Sequence, residues 1–475
     1  MFDVAVIGGG VIGGAILRKL SSYNLKICLL EKGNDVCVGQ SKANSGIVHA
    51  GFDASVGTLK AKFNVLGNSM MPKYARELGV KYENNGSLVV AFSDEEMITL
   101  GELKERGIRN GVQGLEIIDQ AKLRELEPNI SPNAVGALLA KTGGIICPYE
   151  LTIASIGNAM DNGATLFTNF EVDKINAGDS FKIYSANGQK VQSKIVVNCA
   201  GYGSQKVANL IGDYSFTIGG RRGEYILLDR ESGGFAKHTL FFTPTKKGKG
   251  ILISPTVDGN LLLGPTADEV DFNNTDTTQI GLQSVIDKAN EMCVGVPTYN
   301  AITSFAGVRA YCDKHDFIIE ESNVKNGFIN CVGIESPGLT SAPAIAEYIV
   351  DEIISKRITL TKNPNFNGVR KPDYFFSKLT VEEKNEIIKK DPSYGRIVCR
   401  CERITEGEIV RALTQNPRAT DIDGVKRRTR AGMGRCQGGF CQPYVADLIA
   451  KVNGVTIDKV TKNGKGSEIV VGETK

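Results

Sequence analysis

Hydrophobic positions along the chain fall into two rhythms. Strand-length apolar runs, such as Val4 to Ile7 and Ile195 to Val197, alternate with stretches where apolar residues recur every three or four positions. The opening segments VAVIGGG, VIGGAILRKLSSYN and LKICLLEK predict strand, glycine turn, amphipathic helix and strand, a βαβ unit. After a loop of small and polar residues through Ser45, a helix is expected from near Gly57 through LKAKFNVLGNSMMPKYARELG. Short alternating strands dominate Val80 to Lys141 and Phe216 to Pro297, as in YILLDR and GILISPTVDGNLLLGPT, and predict one sheet assembled from two insertions. IVVNCAG (Ile195 to Gly201) and FINCVGIESPG (Phe328 to Gly338) are buried-type strands running into small residues, as a parallel sheet requires, and are assigned to the N-terminal unit.

Past Ile358 the pattern breaks into TKNPNFNGVRKPDYF, a strap or linker, before a new domain. A short helix is expected over Leu379 to Lys390. Another is expected over Thr405 to Thr414, with Thr405 as N-cap and Glu408 at the capping-box position. Beyond Asn453 the polar, glycine-containing sequence predicts a small hairpin or a frayed tail.

Composition narrows this picture only in places. With 475 residues, 41% hydrophobic and 23% charged, the chain is large enough for two or three domains. The net charge of +3, from 56 basic and 53 acidic side chains, is too even to predict nucleic-acid or membrane binding. No apolar run approaches the roughly 18 to 20 residues that span a bilayer. No basic leader follows Met1, Phe2 and Asp3, so the expected location is cytoplasmic, with any membrane association made through a partner. Of eleven cysteines, Cys28, Cys199 and Cys331 sit in strand-like runs as small buried hydrophobes. Only Cys399, Cys401, Cys436 and Cys441 form a spaced group, which in a reducing compartment favours metal ligation.

Gly8, Gly10 and Gly13 follow a strand with GxGxxG spacing, and Glu31 closes the next strand. The glycines permit a tight turn, close approach to a pyrophosphate and helix packing, while the helix N-terminus offers amide donors to the anion. Glu31 would accept from a ribose diol, which argues against a phosphorylated ribose. The motif implies a dinucleotide without choosing FAD or NAD.

The next loop, SKANSGIVHAGF (Ser41 to Phe52), resembles the segment that runs beneath the isoalloxazine ring in flavoenzymes of the D-amino-acid-oxidase-like superfamily. IVVNCAG and CVGIESPGLTSAPAIAEYI resemble later FAD-contacting segments, and the likeness runs from Met1 to about Pro372. It implies a Rossmann-like α/β FAD-binding domain of the glutathione-reductase type in three pieces (1–79, 142–215, 298–372). An antiparallel-sheet α+β substrate domain (80–141, 216–297) is inserted into it, and a linker (373–394), a small helical module (395–455) and a tail (456–475) follow. By the same resemblance, FAD would contact Gly8, Gly10, Val11, Ile12, Gly13, Glu31, Lys32, Ser41, Asn44, Ser45, Gly46, Val172, Ala200, Gly201, Gly338, Leu339 and Thr340.

ANSGIVHAGFDASVGTLKAK, RRGEYILL, GKGILISPTVDGNLLLGPTA, SFAGVRAY and ESPGLTSAPAI resemble the glycerol-3-phosphate oxidases and dehydrogenases of mycoplasma type, and several of these segments also look like L-2-hydroxyglutarate dehydrogenases. Either family implies a small anionic hydroxylated substrate whose carbinol hydride passes to flavin N5 while a base takes the hydroxyl proton. For glycerol 3-phosphate the hydride leaves C2 and the product is dihydroxyacetone phosphate. The resemblance points to His49 as base; the plainer reading is a loop histidine bonded to backbone. Arg309 in SFAGVRAY is expected to bind the anion by bidentate hydrogen bonding, or else to pair with Asp313 or Asp316. Lys249, Arg221 and Arg222 are secondary candidates for the anion, and Ser45 and Ser336 for substrate or flavin. His238 and His315 are expected at the surface or as caps.

Cys399 and Cys401 form a CxC pair and Cys436 and Cys441 a CxxxxC pair, with 34 residues between. Four thiolates suit a [2Fe-2S] cluster and also a closed zinc site. VCRCERITEGEI and RTRAGMGRCQGGFCQP resemble the bacterioferritin-associated-ferredoxin-like domain, which implies the [2Fe-2S] cluster and an electron exit toward an acceptor protein or partner reductase subunit. A one-electron relay favours a dehydrogenase over an oxidase; a pure electron-transfer subunit without an alcohol substrate is the reading from another class. Lys426, Arg427, Arg428, Arg430 and Arg435 crowd the approach to Cys436, either as a solvated face or as a dock for an acidic partner.

Overall fold

The computed structural model describes residues 1–244, 250–370 and 376–472. Strand Phe2–Ile7 lies at the centre of an eight-stranded sheet, parallel to Ile27–Leu30 on one side and Lys190–Asn198 on the other. Phe328–Val332 adds a further parallel strand beside Lys190–Asn198. The four inner residues Val4 to Ile7 are all buried, because helices cover one face of this sheet and a second apolar cluster around Phe170, Phe181 and Phe328 covers the other. The covering helices are Val11–Ser21, Leu59–Leu78, Pro148–Asp161 and Gly338–Tyr348.

The two expected insertions do form one sheet, of nine strands. It is joined where Thr239–Phe242 pairs in parallel with Ser87–Ala91. Its edge runs further than the sequence pattern indicated. Strand Ala301–Cys312 pairs along its whole length with Ile218–Leu228, so this part of the piece expected at 298–372 belongs to the second sheet. The strand also carries Arg309, and its register sets that residue opposite Arg221.

The helix expected near Gly57 spans Leu59–Leu78, capped by the Thr58 side chain. Past Ile358 the strap binds back onto the first helix and its neighbours: the Asn24 amide donates to the Thr361 carbonyl at 2.8 Å and Arg18 donates to the Gly368 carbonyl at 2.8 Å. The short helix begins slightly late, at Val381–Lys390, and Glu406–Thr414 carries the expected capping box with Thr405 and Glu408. Residues 397–460 close around their own core of Ile409, Leu413, Val425, Val445 and Ile449. The polar tail is tied in, because the amides of Ile422 and Asp423 donate to the carbonyls of Thr461 and Lys462.

The basic run does not form a solvated face. Arg427 and Arg428 converge on buried Asp35 of the N-terminal unit at 2.6 and 2.8 Å. Arg430 reaches Asp258 at 2.7 Å, Asn260 at 3.0 Å and Glu402 at 2.7 Å, and Glu402 also accepts from Arg230. Arg435 pairs with Asp229 and Glu231. These cations are taken up by carboxylates of the same chain and fasten the C-terminal module to both sheets, so they do not form a dock for an acidic partner. Lys426 alone of the run has no such role; its half-buried amine is pushed down by burial.

Burial alone would raise the Asp35 pKa, but Arg428 and Arg427 outweigh it and hold the carboxyl at about 2. Its folded value is below the ordinary carboxylate value near 4, so its contribution is complete above that value and is lost as pH falls toward 2. Removing one partner of such a buried cluster strands the other, which costs roughly 3–5 kcal/mol, whereas an exposed pair contributes under about 1 kcal/mol. Asp35→Ala is therefore expected to lower the unfolding free energy at pH 7 by roughly 3–5 kcal/mol. Asp423→Ala, whose partner Lys462 is exposed, should change it by less than about 1 kcal/mol. Urea titration followed by circular dichroism checks both; equal effects would contradict the account of the junction.

Candidate functional site

The glycine turn works as its spacing predicts, through close contact. Gly8 has φ +110°, and a Cβ there would lie 2.3 Å from the Cys199 carbonyl oxygen, so the strand-to-helix turn admits only glycine. Gly13 packs onto the Gly8 carbonyl. Helix Val11–Ser21 starts without a side-chain cap at Gly10, and the Val11 amide donates to Ser41 Oγ at 2.9 Å. Glu31 accepts from the amides of Gly9 at 2.6 Å and Gly33 at 2.7 Å; burial raises its pKa against the pull of these donors.

From this turn a cavity of about 1740 Å³ extends past Lys32, Val172, Ala200 and Gly201, and reaches Ser41, Asn44, Ser45, His49, Arg309, Ser336, Gly338 and Leu339. That exceeds the roughly 300–1,000 Å³ of a pocket for one drug-sized ligand and suits a dinucleotide with a small second molecule. Gly8, Gly10, Val11, Ile12 and Glu31 line the end at the glycine turn. Gly13, Gly46 and Thr340 stand behind the wall instead. Gly46 backs onto the Ile146 carbonyl, and Thr340 Oγ1 accepts from the His49 amide at 2.9 Å.

At the far end the main chain fixes His49, whose carbonyl accepts from Asn64 and Asn68. Its ring projects into the cavity beside Phe241, with Nε2 3.2 Å from Ser336 Oγ. Arg309 donates through Nη2 to the Thr266 carbonyl at 2.7 Å, while its buried Nε has no hydrogen-bond partner. Neither acid considered as its partner engages it. Asp313 accepts from the Thr217 amide, and Asp316 caps the helix at Leu59 and Lys60. Gly223 makes room for the guanidinium, since a Cβ there would sit 2.5 Å from Arg309 Nη2. Arg309 is half-buried and lines the cavity, and a guanidinium so placed is matched to an anionic ligand.

Arg221 lies over the Tyr311 ring and 3.9 Å from Glu335, while Arg222 is committed to Glu224 at 3.0 Å and Asn274 at 2.9 Å. Lys249 lies outside the described residues. His238 is paired with Glu127 at 2.7 Å, and His315 occupies a turn with φ +59°, both away from the cavity. Sequence reasoning passed over Tyr225, buried and hydrogen-bonded to Ser45, and the Lys60–Glu335 pair at 2.8 Å beside Ser336. Tyr225 lay in the quoted segment RRGEYILL, whereas the lysine and glutamate are brought together only by the topology.

The four cysteines converge at one end of the C-terminal module. Cys401 and Cys436 Sγ are 3.5 Å apart, and Cys441 hydrogen-bonds to Cys399. Through that bond the Cys399 thiol is pulled down to about 6 and the Cys441 thiol is pushed up. Backbone amides of Gly432 and Glu402 face Cys399, and those of Gly438 and Phe440 face Cys436. Against desolvation, these amides and the Cys401 thiol lower the Cys436 pKa. Arg403, Arg430 and Gln437, all at positive φ, wind the two cysteine loops into this shape. Four thiols with amide donors to sulfur are the chemistry of an iron–sulfur site.

Residues 3–352 match the family model described as FAD dependent oxidoreductase, and residues 397–451 match the BFD-like [2Fe-2S] binding domain. A glycerol 3-phosphate dehydrogenase of Caloramator mitchellensis is 49% identical over 100% of this chain and 99% of its own. The dithionite-reduced, FAD-bound L-alpha-glycerophosphate oxidase of Mycoplasma pneumoniae superposes with a TM-score of 0.73 at 33% identity, covering 78% of this chain and 98% of its own. A mitochondrial L-2-hydroxyglutarate dehydrogenase of Bos taurus is 30% identical over 74% of this chain and 88% of its own. No helix among the described residues is long and apolar enough to cross a membrane. The chain belongs to the FAD dependent oxidoreductase family, whose cofactor is FAD, and carries a BFD-like [2Fe-2S] binding domain at its C-terminal end.

Proposed function

We propose that this oxidoreductase is a glycerol-3-phosphate dehydrogenase that yields dihydroxyacetone phosphate and sends its electrons out through the C-terminal module. The observation that carries this reading is the convergence on one cavity of His49, hydrogen-bonded to Ser336, and the guanidinium of Arg309. It occurs in a chain similar throughout its length to a glycerol 3-phosphate dehydrogenase. When bound, FAD supplies a hydride acceptor at N5 and the [2Fe-2S] cluster a one-electron carrier. Arg309 holds the phosphate and so orients C2. His49 removes the C2 hydroxyl proton, and the Ser336 hydroxyl at Nε2 and the fixed main chain at Asn64 and Thr340 hold its ring in place. Ser45 and Tyr225 form the facing polar wall.

Support for the exit route comes from contact between the two parts. Gly46, in the segment after Ser45, backs onto Ile146, and three residues on the Tyr149 hydroxyl lies 3.6 Å from Met433 Sδ in the cysteine-bearing loop. L-2-Hydroxyglutarate would need the same base and arginine, and anaerobic mixing separates the readings. Glycerol 3-phosphate should bleach the flavin while L-2-hydroxyglutarate, proline and glycine do not; bleaching by none of the four would favour a pure relay.

His49→Ala is expected to slow that bleaching by roughly 10²–10⁴-fold in stopped flow, and a near-normal rate would remove His49 as the base. Arg309→Ala loses hydrogen bonds to a charged group, so substrate binding should weaken by roughly 10- to 150-fold, read from the concentration dependence of bleaching. Cys436→Ser should abolish the EPR signal of the reduced cluster while leaving flavin bleaching intact. Stoichiometric zinc in the unmutated protein would contradict the cluster assignment.

A further inference from the structure

The module's two sides differ sharply in how their charges are used. On the side that meets the sheets, Arg427, Arg428, Arg430 and Arg230 are neutralised by Asp35, Asp258 and Glu402. On the other side Cys401 is exposed, flanked by exposed Arg400 and Arg403. Among the described residues no ion pair engages either arginine. The nearby acids do not offset them: Glu402 is buried beneath two arginines, and Glu406 is paired with Arg396 at 3.0 Å. Asp447 lies a turn further along the last long helix.

Apolar surface completes this face. Phe440, between the ligands Cys436 and Cys441, is 84% exposed, and Tyr444 in the next turn is 52% exposed. Arg396 lies 5.6 Å over the Tyr444 ring. Nothing local explains a phenylalanine held in water between two cysteine ligands, since the module's own core closes without it. Aromatic residues and arginines around a desolvable centre are the composition of a protein interface core, and unpaired cations beside it steer an oppositely charged partner.

We infer that the face formed by Phe440, Tyr444, Arg400 and Arg403 docks an acidic, one-electron redox protein directly over Cys401. The inference rests on the reading of the module as electron exit, and it replaces the dock that the sequence suggested at Arg427 to Arg435. In it, Phe440 is the apolar anchor, Arg400 and Arg403 set approach and orientation, and the partner's centre comes against the cluster edge at Cys401.

The test uses the full-length holoenzyme with two probes of opposite charge, acidic soluble cytochrome b5 and basic cytochrome c, with binding measured by biolayer interferometry at low and high salt. The acidic probe should bind tighter than the basic one and weaken steeply as salt rises. Arg400→Glu with Arg403→Glu should weaken it by roughly tenfold or more, with the cluster's EPR signal unchanged to show that the module is intact. Phe440→Ala should weaken it at both salt concentrations. Equal binding of the two probes, no binding of the acidic one, or affinity unaffected by the charge reversal would overturn the proposal. A second readout, probe reduction by photoreduced enzyme, needs no substrate. If glycerol 3-phosphate fails to bleach the flavin while charge reversal still abolishes docking, the substrate reading falls and the docking face stands.

Discussion

The architecture turns on a small group of desolvated arginine–carboxylate contacts. Asp35, in the turn after the second strand, receives both Arg427 and Arg428, while Arg430 reaches Asp258 in the second sheet and Glu402 beside Cys401. Buried charges of this kind tolerate no vacancy, because each guanidinium stranded without its acid carries a desolvation penalty that its remaining contacts do not offset. Their consequence is positional. The cysteine module sits on the FAD-binding body at a fixed place, with Met433 against Tyr149, rather than swinging on the strap that joins them.

With that junction in place, the two cofactor sites divide the work by their surroundings. The cavity holds groups suited to binding an anion and moving a proton: His49 beside Ser336, and the Arg309 guanidinium. The cysteine end holds thiols supplied with backbone amides, which suits electrons and no substrate chemistry. Strand Ala301–Cys312 brings Arg309 to the cavity through its pairing with Ile218–Leu228, and Gly223 on the partner strand makes the space it needs.

Much of this was legible in the sequence because it is local. The glycine turn, the capping box at Thr405 and Glu408, the apolar strands around Cys199 and Cys331 and the CxC pair are each specified within a few residues. His49 and Arg309 were reachable through the segments around them, and the structure brings both to the same cavity. The edge of the second sheet was missed because Ala301–Cys312 reads as a strand without saying which sheet it joins. The basic run was misjudged for a related reason. Charge patterning describes a stretch on its own, and the carboxylates that absorb Arg427 and Arg428 lie almost the whole chain away, at Asp35. The Lys60–Glu335 pair likewise became visible only once the topology had placed it.

The central claim is that electrons from the alcohol enter at the cavity and leave through the cysteine module. Freeze-quench EPR with parallel absorbance, after anaerobic mixing of the holoenzyme with glycerol 3-phosphate, tests it most directly. The account predicts that the flavin bleaches first and that a reduced-cluster signal then grows at its expense within turnover. A flavin that bleaches fully while the cluster stays oxidised throughout turnover would contradict it.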